Sequence, residues 1–181
     1  MRKHWKHSLL AALVVVLGFS SLIQAQRPPS KAGMERIERE VRHELVMLPN
    51  YGVFDSLSYK VDGYTVTLLG YVRNPALKSQ AENVVKEIEG VEKVVNQIEV
   101  LPASPQDDRI RLAMYRAIYG DAPLDRYALQ AVPPIHIIVK NGRVILQGVV
   151  SNTSDKTLAE SRARSVSGVF DVKNEIQVEK N

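Results

Sequence analysis

The chain has 181 residues, of which 45% are hydrophobic and 24% charged, and its formal net charge is +4 at pH 7. This composition is typical of a folded protein, and the length allows one ordinary domain or two small ones. Cysteine is absent, which excludes disulfides, thiolate metal sites and lipid attachment through a cysteine. The stability of the fold must therefore come from packing.

The first 25 residues have the composition of a secretory signal peptide. Basic residues precede a nearly unbroken apolar run from Leu9 to Ile23, and Ala25 is a small residue at which a signal peptidase could cut. The run is about fifteen residues long, short of the roughly twenty that a spanning helix needs. We therefore expect export to the periplasm by a Sec-type signal peptide, with an N-terminal membrane anchor as the alternative.

The net charge belongs mostly to this leader. Arg2, Lys3 and Lys6 are three of the 24 basic residues, and none of the 20 acidic residues lies in the leader. The rest of the chain is therefore close to neutral. Without a strong basic excess it lacks the electrostatic footprint of a nucleic-acid-binding protein, and we predict no nucleic-acid partner.

Two stretches of the chain repeat each other. Residues 57–100 align without a gap with residues 135–178, and 15 of the 44 aligned positions are identical. In each stretch, apolar residues alternate as in a half-buried strand, as at Val66 and Leu68. Asp62-Gly63 and Asn141-Gly142 are typical of hairpin turns. The repeat therefore begins with a β-hairpin.

A helix and a third strand complete each repeat. Asn74-Pro75 and Asn152 mark helix starts, because asparagine caps a helix and proline suits its first position. Upstream of each hairpin lies another amphipathic helix, with apolar stripes at Met34, Ile37, Val41, Leu45 and Leu48 and at Ile110, Met114 and Ile118. The predicted fold class is α+β, with two tandem α-β-β-α-β modules, each a small three-stranded sheet packed by two helices.

The predicted domain boundaries follow from this pattern. They are a signal peptide at 1–25, a flexible mature N-terminus at 26–33, a first module at 34–100, a linker at 101–105 and a second module at 106–179. Because each half is small, the two modules should dock on each other. We expect a pseudo-twofold pair that shares a joint core.

The motifs and spacing shared by the two copies resemble the BON domain, a family named for bacterial osmotic-shock and nodulation proteins. The shared motifs are Val66-x-Leu68-x-Gly70-x-Val72 with Gly90-Val91-x-x-Val94-x-Asn96-x-Ile98-x-Val100, and Val144-x-Leu146-x-Gly148-x-Val150 with Gly168-Val169-x-x-Val172-x-Asn174-x-Ile176-x-Val178. The resemblance covers nearly the whole chain after the leader. It departs from double-BON lipoproteins in lacking a cysteine for acylation.

This resemblance implies a function. BON proteins are typically periplasmic or attached to the outer membrane, and they are associated with phospholipid surfaces and tolerance of osmotic stress. The chain is therefore expected to be a non-enzymatic exported envelope protein that binds phospholipid membrane surfaces. The alternative is a periplasmic adaptor or chaperone-like module that binds another envelope protein.

The repeated glycines and asparagines are interpreted as structural. We predict that Gly70 and Gly148 let helix and sheet approach closely, and that Gly90 and Gly168 adopt positive φ after a helix. Asn96 and Asn174 alternate with buried valines, so we predict that each side chain makes a turn-capping hydrogen bond near the start of its strand.

Candidate catalytic or metal-binding residues are scarce. His43 lies away from the apolar stripe of its helix, and His136 lies in an apolar strand without a partner at metal-ligand spacing. No nucleophile, phosphate-binding or metalloprotease motif is present. We predict no enzymatic activity, no metal and no cofactor.

The copies differ in an insertion of about five residues between Tyr119 and Pro134. The helix before it and the insertion itself mix aromatic, basic and apolar groups, as a lipid headgroup boundary favours. The candidate lipid or partner contacts are Tyr115, Arg116, Tyr119, Leu124, Arg126 and Tyr127. The alternative is that this loop covers a sheet edge or fills the seam between the copies.

Overall fold

A computed structural model describes residues 30–180 of the chain, so the predicted signal peptide lies outside the described residues. The helices are α1 (Lys31–Val46), α2 (Pro75–Lys86), α3 (Pro105–Tyr119) and α4 (Thr153–Arg164), with a 3₁₀ helix at Leu124–Leu129. The strands are β1 (Ser56–Asp62), β2 (Thr65–Val72), β3 (Lys93–Asn96), β4 (Glu99–Val100), β5 (Ile135–Lys140), β6 (Arg143–Val150) and β7 (Asp171–Val178).

Each module has the same sheet topology. The first two strands form an antiparallel hairpin, and the helix that follows carries the chain across to a third strand parallel to the second. The second strand is therefore central, and the two helices cover one face. The predicted α+β class with two helix-packed modules is confirmed.

The third strand differs between the modules. In the second module β7 is continuous over eight residues, whereas in the first it is divided into β3 and β4 around Gln97. The Gln97 backbone N–H still donates to the Leu68 carbonyl at 2.8 Å. The interruption therefore leaves the position of the strand beside β2 unchanged.

Helix α1 begins earlier than the sequence pattern predicts. Ser30 caps it, because its hydroxyl accepts a hydrogen bond from the Gly33 N–H at 3.2 Å. The predicted flexible segment 26–33 is therefore wrong from Lys31 onward. The apolar stripe predicts a start at Met34, because the residues before it in the first helical turn include no large apolar side chain.

The repeated asparagines tie the third strand to the helix before it. Asn96 donates to the Lys78 carbonyl and to Glu82, both at 3.0 Å, and its carbonyl oxygen accepts from the Ile98 N–H at 3.1 Å. Asn174 makes the corresponding three contacts in the second module. The hydrogen bond from the N–H two positions further on is of the predicted turn-capping kind. It lies at the end of β3 in the first module and in the middle of β7 in the second, and not near the start of a strand.

Gly70 and Gly148 allow a close approach to a neighbouring backbone and not to a helix. The predicted close approach of helix and sheet at these two glycines is therefore wrong. Both have positive φ, 118° and 127°, in the hairpin's second strand. A Cβ on Gly70 would lie 2.0 Å from the Ser56 carbonyl oxygen, and one on Gly148 would lie 1.8 Å from that of Pro134. Gly90 and Gly168 do adopt positive φ after their helices.

Each module has its own hydrophobic core. In the described residues the buried apolar side chains form two separate clusters, one between α1, α2 and the first sheet and one between α3, α4 and the second. The expected joint core is therefore wrong. The two helices of a module already cover the apolar face of its sheet, and from the first module Val53 and Phe54 pack against the second core.

Candidate functional site

The modules meet along a seam built by the segment 47–55, which connects α1 to β1. The Val53 carbonyl accepts a hydrogen bond from the Ile137 N–H at 2.8 Å, so this segment extends the free edge of β5. Phe54 packs edge-on against Tyr115 of α3, with 6.3 Å between ring centroids. The predicted docking of the modules is thus made by this connecting segment. We call the segment, together with the groups it contacts, the intermodule seam.

Two ion pairs cross the seam. Arg73, which follows β2, pairs with Asp108 of α3 at 3.2 Å and also lies over the Phe54 ring. Lys140 at the end of β5 pairs with Glu99 of β4. All four side chains are partly exposed, so these pairs define the orientation of the modules more than they stabilise it.

The structure corrects half of the predicted contact residues. Tyr119, Leu124 and Tyr127 are buried in the core of the second module and cannot reach a lipid or a partner. The Tyr119 hydroxyl donates to the Ile135 carbonyl at 2.7 Å and accepts from the Ile135 N–H at 2.9 Å. The inserted residues form a 3₁₀ helix that folds onto the core, which sequence spacing did not reveal.

The other predicted contacts lie in three different environments. Tyr115 of α3 packs in the seam, and Arg116 is exposed on the same helix. Arg126 pairs with the buried carboxylate of Asp155 at the start of α4. The six residues therefore do not form one surface.

Tyr127 anchors the insertion to α4. Its hydroxyl donates to Asp155 at 2.6 Å and accepts from the Ser151 N–H at 2.9 Å. Asn152 caps the same helix by accepting from the Asp155 N–H. These groups satisfy one another, so the cluster is structural.

A different surface of the second module has the chemistry of a contact site. It consists of Lys140 and Arg143 at the tip of the β5–β6 hairpin with Phe170 and Lys173 beside it, and we call it the Phe170 surface. Phe170 is 83% exposed. Arg143 is exposed and has no ion-pair partner among residues 30–180.

The two lysines of the Phe170 surface are cations at neutral pH. A hydrogen bond with Glu99 raises the pKa of Lys140, and one with Glu175 raises the pKa of Lys173. Asp171 also lines this region, so the surface mixes charges of both signs around an exposed aromatic ring. Of the three basic residues of this surface, Arg143 is the one without a carboxylate partner in the described part of the chain.

Local structure fixes the ring of Phe170. Its N–H donates to the Gly142 carbonyl at 2.9 Å, and its ring lies over Gly142 so closely that a Cβ there would come within 2.5 Å of a ring carbon. The buried carboxylate of Asp107 on α3 accepts from the N–H groups of Asn141 and Gly142, each at 2.8 Å. The backbone of the hairpin tip and of Phe170 is therefore fixed by hydrogen bonds.

The first module lacks these groups at the matching positions. In the aligned repeat Asp62, Thr65, Glu92 and Val95 stand in place of Lys140, Arg143, Phe170 and Lys173. The Phe170 surface thus belongs to the second module alone. Sequence reasoning missed it, although a comparison of unmatched positions within the repeat would have shown it.

The surface continues into a cleft between the modules. Tyr71 from the outward face of β2 closes one side, and Ile138, Ile145 and the basic residues of the second sheet form the other. The cleft has a volume of about 250 Å³. Its base is apolar and its rim is charged.

Groups suited to metal chemistry are absent from the described part of the chain, where no three His, Asp or Glu side chains converge. His43 is exposed on α1, while His136 lies in the seam against Tyr51. Within residues 30–180 no helix is long and apolar enough to cross a bilayer.

Comparison with known proteins identifies the family. The BON domain model matches residues 35–102 and again residues 123–180. The chain therefore belongs to the BON domain family and carries two copies of the domain. The second match begins after α3, near the start of the 3₁₀ helix.

One curated relative is the osmotically-inducible protein Y of Escherichia coli (strain K12). It is 32% identical over 123 residues, which are 67% of this chain and 61% of the relative. The chain thus spans less than two thirds of that protein's length.

Two solved structures were also similar. CdsD, a structural protein of the type III secretion system of Chlamydia trachomatis, is 12% identical with a TM-score of 0.32, over 80% of this chain and 92% of that one. Its C-terminal domain is 15% identical with a TM-score of 0.27, over 78% and 96%. Likenesses this weak support no argument about function.

Proposed function

We propose that the protein is a non-enzymatic protein of the bacterial envelope, exported to the periplasm, that binds phospholipid surfaces through the Phe170 surface and supports the envelope under osmotic stress. The observation that carries the proposal is an exposed Phe170 beside Arg143, a cation with no ion-pair partner among residues 30–180. The family and the osmotically-inducible relative support the setting.

The geometry suits a peripheral contact with a bilayer. An aromatic ring inserts at the boundary between headgroups and acyl chains, where neighbouring cations attract anionic headgroups. Each basic side chain near an anionic surface contributes about 1 kcal/mol. Lys140 and Lys173 are already paired with carboxylates, so the attraction rests mainly on Arg143, and we expect weak, salt-sensitive binding that favours anionic membranes.

Co-sedimentation with liposomes tests this function. The protein from Gln26 onward is mixed with vesicles of zwitterionic or of anionic phospholipid at low and at moderate salt. We expect pelleting with anionic vesicles that weakens as salt rises, because salt screens exposed charges beyond about 10 Å. Absence of pelleting under all four conditions would reject the lipid function and favour a protein partner in the envelope.

A further inference from the structure

His136 occupies the middle of the intermodule seam. It lies on the outward face of β5, and its Nε2 is 3.4 Å from the Tyr51 hydroxyl of the segment 47–55. The two rings are 5.5 Å apart. Its Nδ1 is buried and has no hydrogen-bond partner among the described residues. The ring is thus shielded from water by groups of the other module.

The first module places one carboxylate near this ring. Asp55 is 6% exposed and accepts hydrogen bonds from the N–H groups of Gly52 and Arg73. The Arg73 side chain is in turn paired with Asp108 of α3. The Asp55 carboxylate is therefore already satisfied by two backbone donors.

The neighbouring strands of the second module carry an unpaired amide oxygen and a carboxylate that is already paired. Gln147 lies directly opposite His136 on the neighbouring strand, and its buried carbonyl oxygen also has no hydrogen-bond partner among residues 30–180. Its amide nitrogen donates to Glu175, which is also paired with Lys173. An imidazolium would thus be buried beside groups that are mostly engaged elsewhere.

We propose that His136 makes the docking of the two modules pH-dependent, so that they stay docked while the ring is neutral and separate when it takes up a proton. Burying a charged ring without a carboxylate free to pair with it is costly, whereas separation returns the ring to water. This inference concerns the two modules alone and does not depend on lipid binding.

The sign of the effect follows from the pKa values. Burial lowers the pKa of His136 in the docked state, and backbone hydrogen bonds of Asp55 and Gly52 and the charge of the Asp55 carboxylate offset this only in part. The exposed ring of the separated state has the ordinary value near 6.5. Docking is therefore fully stable above pH of about 6.5 and weakens as pH falls below it, by about tenfold for each unit by which docking lowers the pKa.

Asp55 acts in the opposite sense. Burial raises its pKa, so that taking up a proton at Asp55 favours the docked state. Separation is therefore expected below pH of about 6.5 and above the pH at which Asp55 is protonated. Tyr51, whose pKa burial raises to about 12, stays neutral throughout.

The chain has no cysteine, so one exposed position in each module can be spin-labelled without removing others. We choose Ser79→Cys on α2 and Ser161→Cys on α4 and measure the distance between the labels by pulsed electron resonance from about pH 7.5 to about pH 5. Nuclear magnetic resonance of the ring protons, assigned by their loss in His136→Gln, gives the pKa of His136 in the same protein.

We expect one narrow distance distribution at the higher pH and a second population at the lower pH. The midpoint of this change should coincide with the measured pKa of His136, and His136→Gln should remove the change. The proposal is overturned by a distribution that does not change with pH, by a midpoint unrelated to His136, or by an unchanged transition in the variant. If His136→Gln is separated at every pH, the midpoint in the unsubstituted chain decides.

Discussion

Tyr127→Ala is expected to lower the free energy of unfolding of the second module by about 3–5 kcal/mol, because it removes a buried ring from a packed core. It also removes the hydroxyl that caps Asp155 and the Ser151 N–H. Small domains are only marginally stable, so thermal unfolding monitored by circular dichroism should show early loss of part of the fold.

Tyr127→Phe is the matched control for this change. It keeps the ring in the core and loses only the hydroxyl bonds, so its cost should be about 1–3 kcal/mol. If Tyr127→Ala instead kept its full stability and lost membrane binding, the residue would be a surface contact as the sequence suggested, and its placement in the core would be contradicted.

The double substitution Arg143→Thr with Phe170→Glu is expected to weaken binding to anionic vesicles by at least about tenfold. These are the residues of the first module at the matching positions, so the hairpin geometry that accommodates them already exists in this chain. Both side chains are exposed, so the melting temperature should change little. Co-sedimentation over a range of lipid concentrations measures the effect.

The control for the double substitution is Arg116→Glu, which makes the same change in net charge at an exposed position of α3 outside the Phe170 surface. It changes the net charge without touching the proposed contact, so its binding should stay within about threefold of the unsubstituted protein. Equal losses in both proteins would show that binding follows net charge alone and not this surface.

Local chemistry made much of the fold predictable. Turns such as Asp62-Gly63 and helix starts such as Asn74-Pro75 depend on neighbouring residues, and the structure places both as predicted. The fold class followed from these elements and from the internal repeat. The early start of α1 at Lys31 was missed because its first turn has no large apolar side chain to mark a buried face.

The contact residues were less predictable because exposure depends on tertiary packing. Tyrosine side chains suit a membrane surface, yet the rings of Tyr119 and Tyr127 lie in the core. Tyr127 reaches it from an unpredicted 3₁₀ helix. Phe170 follows a repeated Gly-Val pair and resembles one more core residue in sequence. The matching residue of the first module, Glu92, is exposed as well, so this position faces solvent in both modules.

The seam was unpredictable for a related reason. His136 had no nearby acid in the sequence, but folding brings Asp55 and Tyr51 from the first module to it. Tyr51 and Asp55 are more than 80 residues from His136 in the sequence, so no local sequence pattern indicates that they are neighbours. Only the docking of the modules creates this environment.

Insertion of the Phe170 side chain into a bilayer is the central claim, and tryptophan fluorescence tests it directly. The one tryptophan of the chain, Trp5, precedes Gln26, so Phe170→Trp in the protein from Gln26 onward leaves a single reporter on the surface. Glu92→Trp in the same background reports from the matching position of the first module. We predict that anionic vesicles shift the emission of the Phe170→Trp protein to shorter wavelength and leave that of the Glu92→Trp protein unchanged. Vesicle binding without a shift at position 170, or with equal shifts at both positions, would contradict the account.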